Sequence, residues 1–281
     1  MNATPPPPPA GPPPATRTDA RSALRFAFGT LTVLPVRPPE RWDRPTARGG
    51  MLCAPLAGLA TGLVVCLLSW LLLELEAGAL LTAVLAVALG AALSRGLHLD
   101  GLADTADGLG SRRPAAEALR VMKRSDIGPF GVLVLLLTVL AQVAAVAELY
   151  GHGRPRALTA VVCAAVVSRA ALTWACRADA PPAARPDGMG ATVTRTVPTG
   201  AALAVAGAVA FASAVAGALA WDRPAVGALG GLLSVLVALA AAELLLRHCA
   251  RRFGGLTGDV LGACAETAGT AALLVWTVTA P

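Results

Sequence analysis

The sequence predicts an all-α, polytopic integral membrane protein with about seven (six to eight) transmembrane helices. Three observations predict it. Of the 281 residues, 56% are hydrophobic and only 14% charged, against about 45–50% and about 25% in soluble domains. The apolar residues gather in runs of about 20, the length a helix needs to cross a hydrocarbon core of roughly 30 Å while satisfying its own backbone polar groups. The basic residues fall between these runs, and mostly on one side.

The clearest runs are Met51 to Leu73, Gly78 to Leu97, Gly131 to Tyr150, Ala157 to Cys176, Ala201 to Trp221 and Ala225 to Leu246. A seventh, Ala268 to Ala280, reaches spanning length only if its helix begins near Thr257, which carries Asp259 and Glu266 into or next to the headgroup zone. With the amino terminus cytoplasmic, nineteen of the 23 lysines and arginines lie in inside segments. Arg154, Arg156 and Arg223 lie outside, and Arg169 lies within a span. The positive-inside rule therefore predicts a multi-pass protein of the cell (inner) membrane with its amino terminus and active site cytoplasmic. It also assigns the net charge of +6 to the bilayer as partner rather than to nucleic acid. A homo-oligomer is left open.

Residues Met1 to Ala15 are mostly proline and alanine, so residues 1–20 read as a disordered leader and 21–281 as a single membrane-embedded domain. The first long apolar run starts only near Met51, which does not fit a secretory signal. Ser22 to Val36 suits a short helix lying on the cytoplasmic membrane surface, or else a packed lead-in to the first span. The six cysteines lie mostly inside or at the ends of spans with no metal-type spacing, and read as small buried hydrophobes. The outside connections are a few residues long, so any chemistry belongs to the cytoplasmic segments.

The central signal there is the run His98-Leu-Asp-Gly-Leu-Ala-Asp-Thr-Ala-Asp-Gly108. Asp100, Asp104 and Asp107 stand at i, i+4 and i+7, so on a helix continuing from the second span they share one face. Three like charges stacked that way need a counter-charge, and oxygen-only ligands select Mg²⁺ or a similar hard cation. His98 lies off that face and reads more readily as a structural or supporting histidine than as a base. In the second constellation, Gly254 to Gly262 followed by Glu266, a glycine loop enters a helix with Thr257 as N-cap. The free amides of that first turn favour a phosphate. Asp259 and Glu266 share a face, and carboxylates so near a bilayer are functional candidates by default. Lys123 and Arg124 suit diphosphate oxygens, though they also serve as ordinary inside charges. Arg169 needs a counter-charge, for which the Asp cluster is the expected source. The Ala184 to Gly190 loop is weak by itself.

Four runs together, HLDGLADTADG at His98, MKRSDIGPFG at Met122, ARPDGMG at Ala184 and GGLTGDVLGACAE at Gly254, resemble the adenosylcobinamide-GDP ribazoletransferase (cobalamin synthase) family from about Arg21 to the end of the chain. One departure is that the family's lysine motif commonly resembles KDSRIG, whereas Arg124 and Asp126 here have the charges exchanged. The resemblance implies a Mg²⁺-dependent transfer. A hydroxyl of α-ribazole, or of its 5′-phosphate, attacks the phosphorus attached to cobinamide in adenosylcobinamide-GDP and expels GMP. It further implies Asp100, Asp104, Asp107, Asp259 and Glu266 as metal ligands, and Asp107, Asp104 and His98 as catalytic candidates. Substrate contacts are implied at Lys123, Ser125, Arg169, Arg185, Gly188, Gly190, Thr257 and Gly258. Two rival readings are a CDP-alcohol phosphatidyltransferase, whose DGxxAR register this chain does not keep, and a cation-coupled secondary transporter, which would place its acids at mid-depth.

Overall fold

The structure, a computed structural model, describes residues 19–279. The predicted disordered leader thus falls almost wholly outside the described residues. The described chain is helical, with isolated bridges only at Arg177 with Val197 and Ala183 with Leu256. Six helices are long and apolar enough to cross a membrane: α2 (Arg44–Glu74), α6 (Pro129–Gly151), α7 (Arg154–Ala175), α9 (Thr199–Ala220), α10 (Pro224–Phe253) and α11 (Gly258–Val278). A bent pair, α3 (Ala79–Leu93) with α4 (Leu97–Gly110), makes a seventh if counted as one span. Short helices α1 (Ala20–Leu31), α5 (Ala115–Val121) and α8 (Gly188–Val193) complete the order.

The packing is that of a membrane bundle, in which lipid tails are as apolar as leucine and small residues let backbones approach. Large side chains face outward: Leu133, Leu136, Leu137 and Leu140 of α6 and Phe211 and Leu219 of α9 are exposed. Alanine and glycine fill the inside. At the α9–α10 crossing Gly217 and Gly227 meet backbone to backbone, leaving no room for a Cβ on either. Central α7 buries Ala157, Ala160, Ala164, Ala170 and Ala171 against its neighbours.

Two predicted helices are refined by the structure. The Asp-bearing helix does not continue the second span, because the chain takes left-handed conformations at Arg95 (φ 57°) and Gly96 (φ 67°) and turns through 88°. Helix α3 therefore ends at Leu93 and α4 lies across the end of the bundle. Arg95 fixes the corner by donating to the carbonyls of Gly29 and Thr30 at 3.2 and 3.1 Å, which closes the end of α1. Helix α1 is the expected short amphipathic helix. Its Phe26 is fully buried against Gly50 of α2 and its ring centroid lies 5.2 Å from that of Trp42. The seventh run does begin at Thr257, whose Oγ1 accepts from the Val260 amide at 3.3 Å.

The two ends of the bundle differ. One carries α4, α5, α8 and the Gly254–Thr257 turn. The other carries short connections joined by ion pairs, Arg154 with Glu74 at 2.6 Å and Arg156 with Asp222.

Candidate phosphate and metal site at the crossing of two helices

Helices α4 and α11 cross so closely that a Cβ on Gly101 would lie 2.7 Å from the Asp259 carbonyl, and one on Gly262 3.2 Å from the His98 backbone. Only glycine permits that approach, and the approach sets Asp259 beside the α4 carboxylates. The turn before α11 is fixed as well. Gly254 ends α10 in the left-handed region (φ 81°). Leu256 then bonds both ways with the loop ahead of α8, its amide donating to Pro182 O and its carbonyl accepting from Ala184, each at 2.8 Å. That pairing draws the Ala184 to Gly190 segment onto the site, and Gly190 packs against Leu256 and Thr257.

Four predicted residues thereby meet: Asp100, Asp104, Asp259 and Arg185. Asp104 is half-buried. Burial first, then the charges of Asp100, Asp259 and Asp107, push its carboxyl up to about 7, against the pull of Arg185. Asp259 accepts from Thr257 Oγ1 at 3.2 Å, and Arg185 Nη1 stands 4.0 Å from its Oδ2 while Nη2 donates to Leu119 O at 2.5 Å. Lys123 lies at the edge, 3.7 Å from Asp187, its charge also felt by Asp259. Gly258 opens α11, and Gly188 (φ 86°) opens α8. Ser125 is exposed in the turn after α5. The exchanged charges of Arg124 and Asp126 pair with one another at 3.0 Å.

Three predicted members stand elsewhere. Asp107 points at α6, where its two oxygens accept from the amides of Gly128 at 2.7 Å and Gly131 at 2.9 Å. It is 7% exposed and caps the first turn of another helix, a tertiary role that spacing along α4 does not reveal. Glu266 does share a face with Asp259, but seven residues place it about 10 Å further along the axis. There it accepts from Gln142 Nε2 at 2.9 Å and faces Arg169 rather than the aspartates. Arg169 likewise pairs with no residue of the Asp cluster; its Nη1 donates to Ser168 Oγ at 3.1 Å. All five predicted metal ligands therefore do not surround one point, and among the described residues no three His, Cys, Asp or Glu side chains would hold an ion unaided. Gln142 was missed by sequence reasoning, although a carboxamide inside an otherwise apolar span is a signal that could have found it.

His98 is 2% exposed, and neither ring nitrogen has a partner. Burial, with Arg169 nearby, holds its pKa well below the ordinary range, so the imidazole is neutral. It lines a pocket together with Asp100, Met189, Gly258 and Asp259.

Comparison with known proteins assigns this arrangement to a family. Over 256 residues the chain is 44% identical to an adenosylcobinamide-GDP ribazoletransferase of Nocardioides sp., covering 91% of this chain and 98% of that one. It is 43% identical over 267 residues to the protein of that name from Frankia casuarinae, covering 92% and 95%. A Rhizobium etli protein of the same name is 36% identical over 240 residues, covering 84% and 89%. No solved structure matches. A sequence model of cobalamin-5-phosphate synthase matches residues 23–277, which include both crossing helices and every loop that meets them, and the chain belongs to that family.

Proposed function

We propose that this chain is an adenosylcobinamide-GDP ribazoletransferase. It joins the cobinamide phosphate of adenosylcobinamide-GDP to α-ribazole or α-ribazole 5′-phosphate and releases GMP. The observation that carries the reading is the meeting of Asp100, Asp104, Asp259 and Arg185 at the α4–α11 crossing. Carboxylates forced together need a cation, and a guanidinium among them suits a diphosphate oxygen. Neither rival reading is favoured by any observation.

The residues fit Mg²⁺ in a particular way. Mg²⁺ keeps several waters and takes one or two carboxylates plus substrate phosphate oxygens, so it needs no cage of protein ligands. Asp100 and Asp104, one turn apart, with Asp259 across the crossing, are the residues that would hold it. When bound it supplies neutralisation of the diphosphate charge. Arg185 and Lys123 bind and orient the diphosphate and stabilise the departing GMP. The Gly258 turn offers unpaired helix amides to a phosphate oxygen. Whichever carboxylate of the cluster stays off the metal is the group suited to take the proton of the attacking hydroxyl. Asp107 holds α6 in place behind it.

The basic residues of the Asp-bearing end support a cytoplasmic placement of this site in the cell membrane. The direct test mixes purified protein, Mg²⁺, adenosylcobinamide-GDP and α-ribazole 5′-phosphate. Formation of GMP with cobalamin 5′-phosphate is expected, and absence of both would reject the reading.

A further inference from the structure

Behind α4 a second cavity opens, a crevice of about 760 Å³ counting its mouth, between α2, α3, α6, α7 and α11. Its walls are mostly small or apolar, among them Gly62, Gly90 and Val146, yet Gln142, Ser168, Arg169 and Glu266 face into it. Arg169 is only 8% exposed and its Nε has no hydrogen-bond partner. Glu266 is the charge that faces it, but the two are not in ion-pair contact. Gln142 spends its amide hydrogens on Glu266 and Thr270, each at 2.9 Å, leaving its carbonyl oxygen as an acceptor.

A donor and an acceptor held apart inside an apolar crevice define the chemistry of the guest. A net anion meets Glu266, and a net cation meets Arg169, each at a repulsive cost in a low dielectric. A neutral carboxamide satisfies both walls, its carbonyl accepting from the guanidinium and its NH₂ donating to the carboxylate or to Gln142. Apolar surroundings with a few convergent polar groups are what a ligand pocket requires. Leu99, the neighbour of Asp100, lines the crevice, so it adjoins the carboxylate site.

We infer that the crevice binds carboxamide side chains on the rim of the corrinoid half of the substrate. One such side chain enters the crevice while the phosphate-bearing arm reaches the adjoining α4–α11 crossing. This rests on the function proposed above.

Two variants of the full chain in nanodiscs test it. Gly90→Leu adds bulk to the crevice wall at a position where a Cβ meets nothing within 4 Å. Gln142→Leu removes a polar wall from an apolar helix. Both are expected to raise the KM for adenosylcobinamide-GDP, and the Kd for cobinamide itself measured by equilibrium dialysis, about five- to tenfold, as loss of one net hydrogen bond does. The KM for α-ribazole 5′-phosphate should stay within about twofold, since one hydrogen bond to the other substrate is at stake. Folded, active variants with unchanged corrinoid KM and cobinamide affinity would overturn the inference. So would loss of a co-purifying lipid from the variants with cobinamide affinity intact, which would give the crevice to lipid. A wild-type protein that binds cobinamide in a Gly90-dependent manner but releases no GMP would instead defeat the proposed reaction and leave the crevice assignment standing.

Discussion

The two ends of the bundle handle charge in opposite ways. At the end away from α4, opposite charges are paired across neighbouring segments: Arg154 with Glu74, Arg156 with Asp222. At the other, Asp100, Asp104 and Asp259 crowd together with Arg185 as their near cation, and Asp104 keeps a carboxyl raised to about 7. A fold seeking only stability would not gather like charges in a half-buried place, because each costs desolvation and repulsion. The difference teaches which end is arranged for a ligand, and five experiments break or sharpen it.

Removing the central carboxylate should have the largest effect. Asp104→Asn is expected to lower GMP release on the order of 10³-fold, the rate equivalent of several kcal/mol of charge stabilisation. The apo-protein should be no less stable by thermal unfolding, because a repulsive charge has gone. Turnover near wild type would erase the distinction between the ends. Next, Arg185→Met should reduce kcat/KM about 10- to 100-fold, as charge-assisted hydrogen bonds of about 1.5–3 kcal/mol imply. A loss confined to stability would reduce Arg185 to a tether for Leu119.

Asp107 provides the contrast inside α4 itself. Asp107→Asn should cost about 1–2 kcal/mol, the scale of a lost helix cap, seen as a lower denaturant midpoint. Activity per folded molecule should fall far less than in Asp104→Asn. A fully stable but inactive Asp107→Asn protein would instead return this residue to the chemistry.

The fourth experiment uses pH. With the folded-state pKa of Asp104 raised from 3.8 to about 7, the metal-free folded chain holds a proton that the unfolded chain has released, so this group's contribution to stability declines as pH rises across that window. A cation must displace the same proton. The rise in Tm on adding Mg²⁺ should therefore be larger at about pH 8 than at about pH 6, and a pH-independent shift would argue against Asp104 as ligand. The smallest effect belongs to the opposite end. Glu74→Gln breaks an exposed pair and should change stability by less than about 1 kcal/mol with turnover unaltered.

Much of this was legible in the sequence because bilayer thickness imposes a length on apolar runs, and Thr257 announces a helix start by its chemistry. Two kinds of information were not. The corner between α3 and α4 depends on left-handed conformations at Arg95 and Gly96, and a lone glycine at the end of an apolar run is an ambiguous signal. Face periodicity then told which side of a helix Glu266 and Asp107 occupy, but not how deep or against which neighbour. Depth separated Glu266 from Asp259, and α6 claimed Asp107. Tertiary contacts decided both, and spacing within one helix cannot encode them.

The right-angled corner at Gly96 has a further consequence for the surrounding lipid. Helix α3 has 15 residues, about 22 Å of rise, several ångströms short of an ordinary hydrocarbon slab of roughly 30 Å. Acyl chains beside it must shorten or splay to meet it, producing a local dimple in the leaflet over α4. Water-soluble substrates then reach the α4–α11 crossing without passing through the full depth of a leaflet.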